Sequence, residues 1–288
     1  MLSRRTFLAL TSLGLPGLVR GAQERFAALP AAVAGLEQTN GGRLGVAVLD
    51  TATRERFGYR AHERFPMCST FKFLLASAVL QRVDASEDKL QRAVTIPPRP
   101  LLAHSPLTEP HAGRTMTVGE LCQAILTHSD NTAANLLLAA IGGPAGLTSF
   151  SRSIGDKVTR LDRTELALNE ALAGDPRDTT SPEAMAGDLE GVLLGEWLAR
   201  ASREQLTRWM AACVTGLDRL RSKLPGNWQA VDKTGDNGVH TSNDIAVFWP
   251  PGQPPVIIAA YITQCTGPGA KRAAMLAQIG SLVIESLA

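Results

Sequence analysis

Ser69-Thr70-Phe71-Lys72 sets a hydroxyl and an amine three positions apart. Positions i and i+3 share one face of a helix, so a helix starting here would bring the two groups side by side. Serine is a poor nucleophile until a base takes its proton. Lysine serves as that base only when neutral, which requires burial or nearby positive charge. The N-terminus of the helix adds free N–H groups that could stabilise an oxyanion. Together these groups could carry out acyl transfer through a serine ester. Alone, a Ser-x-x-Lys tetrad arises by chance on the order of once in a chain this long, and a capping serine with a surface lysine is the plain alternative. Phe71, Phe73, Leu74 and Leu75 argue against a surface lysine, because they make the helix apolar on nearly every side.

Three further groups have the same double character. Ser129-Asp130-Asn131 precedes a helical stretch; these residue types favour an N-cap, yet they would also present a hydroxyl and an amide to a cleft. Lys233-Thr234-Gly235 ends a strand, where Lys and Thr could bind a substrate carboxylate and Gly would let substrate approach the backbone. In Glu165-Leu166-Ala167-Leu168-Asn169, one helical turn would bring Glu165 and Asn169 together, suited to holding a water between carboxylate and amide. Taken singly, Glu165 reads as a solvated loop acid.

The elements that must position these groups follow from periodicity and punctuation. An Ala-rich helix is expected near Gln23–Thr39, strands at Leu44–Leu49 and near Phe57–Tyr59, and a helix from Ser69 to Val83. Ile96–Pro110 is expected to be loop. Thr117-Val118-Gly119-Glu120 is a capping box opening a helix to about Thr127, and Asp130 to Ile141 forms another, closed by Gly142-Gly143. Residues 160–180 read as irregular. Ser181-Pro182 caps a further helix, and Ser202 starts one more. Strands are expected at Trp228–Thr234, Ile245–Trp249 and Val256–Thr263, then a C-terminal helix from Lys271 to Leu287. Strands at both ends with helices between predict an α+β fold: one antiparallel sheet built from both termini, flanked by helices, with an all-helical insertion. The expected division is 23–60 with 217–288 for the sheet part and 61–216 for the helical part, with the active site in the cleft between them.

In this order the four groups resemble the class A serine β-lactamases, whose family motifs are Ser-x-x-Lys, Ser-Asp-Asn and Lys-Thr-Gly. The resemblance spans nearly all of the mature chain. It includes the Glu-x-x-Leu-Asn loop, the Arg163 and Asp178 positions of an ion pair that closes that loop, and Thr179-Thr180-Ser181-Pro182 after it. It implies Ser69 as nucleophile with Lys72 beside it, Glu165 activating the deacylating water with help from Asn169, and Ser129 passing a proton to the leaving ring nitrogen. It further implies Lys233, Thr234 and Gly235 on the substrate carboxylate side, Asn131 on the acylamino side chain, and the N–H groups of Ser69 and Asp236 as the oxyanion hole. The implied activity is hydrolysis of penicillins and cephalosporins, and hence antibiotic resistance, with a small-molecule substrate, no cofactor and no metal.

The chain departs from the family pattern in places. Many members bind the substrate carboxylate with an arginine on the strand after Lys-Thr-Gly, where this chain has Thr241-Ser242-Asn243-Asp244. Arg219 falls where other members supply it and is the expected carboxylate partner. Cys68 has no partner at Asn237, and Cys122 faces a family position held by Ala76, so Cys68, Cys122, Cys213 and Cys265 are expected as free, buried thiols. His104 is expected as a loop residue at the cleft edge.

Composition narrows the field. With 29 basic and 27 acidic residues the net charge is only +2, which argues against nucleic acid as partner. Residues 1–22 read as a signal peptide: Arg4-Arg5 before a short apolar run interrupted by Gly14, Pro16 and Gly17 points to the twin-arginine route. A periplasmic or secreted monomer, off the membrane once the signal is removed, is the expectation. Two rivals share the serine motifs. A D,D-peptidase and an acylated sensor both lack a deacylating acid, so Glu165 and Asn169 speak against them. A zinc hydrolase fails because the five histidines show no paired spacing.

Overall fold

The computed structural model describes residues 25–287, so the expected signal peptide lies outside the described residues. In chain order the elements are α1 (Leu29–Asn40), β1 (Arg43–Asp50), β2 (Arg56–Tyr59), β3 (Phe65–Pro66), α2 (Phe71–Asp84), β4 (Ala93–Thr95), β5 (Thr115–Thr117), α3 (Val118–Thr127), α4 (Asn131–Ala140), α5 (Gly143–Ser153), β6 (Thr179–Thr180), α6 (Pro182–Leu189), α7 (Arg200–Ala211), β7 (Gln229–Asp236), β8 (Ser242–Trp249), β9 (Val256–Thr263) and α8 (Gly269–Leu287).

The fold is α+β. Five strands form one antiparallel sheet in the order β2-β1-β9-β8-β7, in which the first long strand of the chain pairs with the last, Arg43 opposite Thr263. Both faces of this sheet are covered. Leu44, Val46, Val48, Ile258, Ala260 and Ile262 point into one core with α1 and α8, while Ala47, Leu49, Ile257, Ala259 and Tyr261 point into another with the helical part. Successive strand residues face opposite sides, so covering both turns the usual alternation into the continuous apolar run Val256-Ile257-Ile258-Ala259-Ala260-Tyr261-Ile262.

α2 is the axis of the helical part. Every residue from Phe71 to Leu80 is buried, which is why this helix shows no polar face. Thr117 opens α3 with a capping box to Glu120, Asp130 caps the start of α4, and Ser181 caps the start of α6 just before Pro182. Other expectations need correction. The first helix starts at Leu29, with Pro30 in its first turn, and the seventh starts at Arg200; Ser202 lies within it and donates to Asp84 at 2.5 Å. α5 was not expected, because Gly142-Gly143-Pro144 reads as a stop. In the structure Gly142 takes a left-handed φ of 92° and Pro144 occupies the next helix's first turn. All four cysteines are free and buried, and among the described residues no single helix is long and apolar enough to cross a membrane.

Candidate active site

Ser69 sits in a 3-10 turn, Cys68–Thr70, that runs directly into α2. Cys68 holds a left-handed φ of 44°, a conformation that costs energy for a residue with a side chain and is kept only where its surroundings enforce it. The enforcing contacts come from the sheet. Asn243 on β8 donates its amide to the carbonyls of Pro66 (2.8 Å) and Met67 (3.0 Å). Gly235 on β7 packs so closely that a Cβ would lie 2.6 Å from the Met67 carbonyl oxygen and 3.2 Å from the Ser69 nitrogen. The space left by its missing side chain admits the backbone of the Ser69 turn, and Gly235 also lines the cleft over Ser69, where the sequence places the approaching substrate.

Lys72, the second residue of α2 and one turn beyond Ser69, is completely buried. Its Nζ donates to the Ser129 carbonyl (2.7 Å), to Ser129 Oγ (3.3 Å) and to Asn131 Oδ1 (2.6 Å), and lies 3.0 Å from Glu165 Oε1. Burial pulls its pKa below the ordinary lysine value, opposed by the Glu165 charge. Ser69 Oγ donates to the same Glu165 oxygen at 3.4 Å. Ser129, at a left-handed φ of 61°, also takes a hydrogen bond from Lys233 Nζ at 3.1 Å, so its hydroxyl bridges two ammonium groups. Burial pushes the Lys233 pKa down to about 8.

The Glu165 loop is fastened from two sides. Arg163 pairs with buried Asp178 at 2.6 Å, and Asp178 also accepts from the nitrogens of Asp162 (2.8 Å) and Arg163 (2.9 Å). Asn135 on α4 clamps the main chain of Glu165 itself, accepting from its nitrogen at 2.9 Å and donating to its carbonyl at 2.8 Å. The Glu165–Leu166 peptide is cis. Asn169 Nδ2 donates directly to Glu165 Oε2 at 2.7 Å, and Asn169 Oδ1 is buried with no hydrogen-bond partner. The expected pairing of Glu165 with Asn169 is therefore present as a direct contact, made by a turn in which Leu168 N donates to the Thr164 carbonyl (3.1 Å) and by the 3-10 turn Ala167–Asn169.

A cleft of about 540 Å³ opens over these groups, lined among others by Ser69, Ser129, Asn131, Asn169, Thr234 and Asp236. Thr234 Oγ1 meets Thr215 Oγ1 at 2.6 Å. Arg219 reaches the same wall, its Nη1 donating to the carbonyls of Gly235 (3.1 Å) and Asn243 (2.9 Å). Its loop is tied down beneath the sheet: Arg221 pairs with buried Asp232 at 2.9 Å, and the Leu220 nitrogen donates to buried Asp244 at 3.1 Å. His104 lies at the cleft edge, its ring bonded to the His128 carbonyl at 2.8 Å and its own carbonyl accepting from Asn131 N at 3.0 Å.

The structure thus gathers the expected site residues at one cleft, with Lys72, Glu165 and Lys233 buried directly beneath its lining. Sequence reading missed Asn135, Thr215 and Asn243, which position Glu165, Thr234 and the Ser69 turn. Only Asn135 left a signal, since it falls at i+4 from Asn131 on the same helix face. The arrangement joins a serine hydroxyl, a buried lysine–carboxylate pair and a bridged second hydroxyl, a set suited to acyl transfer with proton relay.

Comparison with known proteins agrees with this chemistry. Residues 28–287 match the β-lactamase enzyme family. The chain is similar to β-lactamase L2 of Stenotrophomonas maltophilia, at 46% identity over 297 residues covering 98% of each protein. It is 43% identical to β-lactamase CTX-M-25 of Escherichia coli over 278 residues, 96% of this chain and 93% of that one. Among solved structures it resembles an ancestral class A β-lactamase (57% identity, TM-score 0.87, 89% of this chain and 99% of that one). It also resembles a β-lactamase from Xanthomonas campestris (50% identity, TM-score 0.89, 90% and 97%).

Proposed function

The chain belongs to the class A β-lactamases, and from that premise we propose how its residues divide the work of opening a β-lactam ring. The enzyme hydrolyses the β-lactam amide of penicillins and cephalosporins, and so confers resistance to them. Ser69 Oγ attacks the ring carbonyl while the Lys72–Glu165 ion pair takes its proton. The N–H groups of Ser69 and Asp236 hold the developing oxyanion. The ring C–N bond breaks, and Ser129, bridged between Lys72 and Lys233, delivers the proton to the leaving nitrogen. Glu165 then removes a proton from water, the hydroxide attacks the ester, and Ser69 regains its proton as the open-ring acid leaves. The free Oδ1 of Asn169 gives that water a second acceptor. Lys233, Thr234 and Arg219 receive the substrate carboxylate, and Asn131 meets the acylamino side chain.

The observation that carries turnover, rather than trapping, is Glu165 held 3.4 Å from Ser69 Oγ with its second oxygen fixed by Asn169. A chromogenic cephalosporin should be consumed over many cycles per enzyme. A single stoichiometric burst would instead identify a peptidase or sensor. The same reading takes residues 1–22 as a twin-arginine signal, the mature protein as a periplasmic or secreted monomer, and the sheet and helical parts as dividing at 60/61 and 216/217.

A further inference from the structure

The carboxylate of Asp236 stands in the cleft beside Arg219. Arg219 Nη2 lies 3.4 Å from Asp236 Oδ2. That oxygen also accepts from the Ser242 hydroxyl, which itself accepts from Nε of buried Arg272 at 2.9 Å; Asp236 Oδ1 accepts from the Gly238 nitrogen at 2.5 Å. Arg272 is fixed in turn by the carbonyls of Val239, Cys265 and Gly267. The anion is therefore held by β7, β8 and α8 together, yet its side chain remains 31% exposed toward the cleft that contains Ser69.

The other charges beside Ser69, on Lys72, Glu165 and Lys233, are buried behind the cleft wall, whereas Arg219 and Asp236 keep partly exposed side chains. Lys72 is paired with Glu165, and Lys233 Nζ is bonded to Ser129 Oγ and the Thr234 carbonyl. What faces a substrate beside Thr234 is thus a cation and an anion next to each other. A substrate bringing only a carboxylate must tolerate Asp236. One that also carries a cation close to that carboxylate meets a complementary pair, its carboxylate on Arg219 and its cation on Asp236. From this complementarity, which rests on the function proposed above, we infer that Asp236 is a specificity-determining residue favouring zwitterionic β-lactams, those with a quaternary ammonium or pyridinium group near the ring carboxylate.

The test uses two cephalosporins with the same acylamino side chain, one bearing a pyridiniomethyl group beside the ring carboxylate and the other an acetoxymethyl group. In wild type, kcat/KM should favour the cationic compound, and that preference should shrink as NaCl is raised. In Asp236→Asn, and in Asp236→Ser as a second variant, the preference should fall about fivefold, the worth of a partly exposed ion pair, mainly through KM. A merely structural role would lower both substrates alike and leave their ratio unchanged, and that result overturns the inference. Equal, salt-independent kcat/KM for the two compounds in wild type also overturns it while leaving the proposed function intact. Turnover of neither compound removes the proposed function itself.

Discussion

Lys72 and Glu165 form an ion pair with no solvent exposure on either side chain, Nζ 3.0 Å from Oε1. Removing one leaves the other's charge buried and uncompensated. In Glu165→Ala, Lys72 loses the partner that opposes the effect of burial and shifts further toward its neutral, basic form. Acylation should then continue while deacylation stops. Intact-protein mass spectrometry should show a stable penicilloyl adduct on Ser69. Normal steady-state turnover by this variant would remove Glu165 from the hydrolytic step.

Lys233, proposed above to receive the substrate carboxylate, should set the alkaline limit. With its pKa pushed down to about 8, it carries charge below that pH and loses it above. The carboxylate site weakens accordingly, so kcat/KM for an anionic penicillin should fall as pH rises through about 8. A pH profile flat to pH 10 would contradict the assignment.

Arg219→Ala should raise KM for penicillins and lower kcat/KM roughly tenfold to a hundredfold, the cost of one charged hydrogen bond. Circular dichroism should show the fold intact. Unchanged kinetics would leave Arg219 as a brace for the Gly235 and Asn243 carbonyls only.

Gly235→Ala would place a Cβ 2.6 Å from the Met67 carbonyl. Backbone has to move, and the backbone that moves carries Ser69. A misplacement of about 1 Å can cost on the order of a hundredfold in rate, so kcat should drop steeply together with thermal stability. Wild-type kcat in this variant would show that the turn tolerates the shift.

Asp188 on α6 gives a pH-dependent stability. Burial, aided by neighbouring Asp156, holds its pKa well above the ordinary aspartate value. The folded protein therefore keeps a proton that the unfolded chain releases above about pH 4, and stability is lost as pH rises from there through the folded pKa. Asp188→Asn cannot ionise. Its Tm should exceed that of wild type at pH 7 by roughly 2–4 °C, what about 1 kcal/mol produces at this size, and the difference should vanish near pH 4. An equal difference at both values would rule out ionisation as the cause.

What could be read from the sequence depended on whether a signal was local. The capping box at Thr117 and Glu120 and the Ser181-Pro182 start are local chemistry, and both elements form where expected. The apolar run of β9 marked a strand, and the structure buries that strand on both faces. α5 escaped because glycine and proline break a helix in one position and begin it in another, and only the φ of Gly142 decides between them. The site motifs were recognisable because each is short. Asn135, Thr215 and Asn243 were not, because their partners lie at Glu165, Thr234 and Pro66–Met67, and no single-chain spacing announces a contact across the fold. Gly235 was noticed for its type, but its function as a gap for Met67 required the opposing backbone to be seen.

The pairing of β1 with β9 also governs when the enzyme can come into being. Arg43 is translated 220 residues before its partner Thr263. Until β9 has been synthesised, β1 lacks its central neighbour, and β7 and β8 have no link to it. Asn243 and Gly235, which hold the Ser69 turn, belong to those late strands. Closing so long a loop makes such topologies slow to assemble. The Ser69 turn therefore lacks the contacts that hold it until β7, β8 and β9 have joined β1, so an ordered site and a complete sheet arise together.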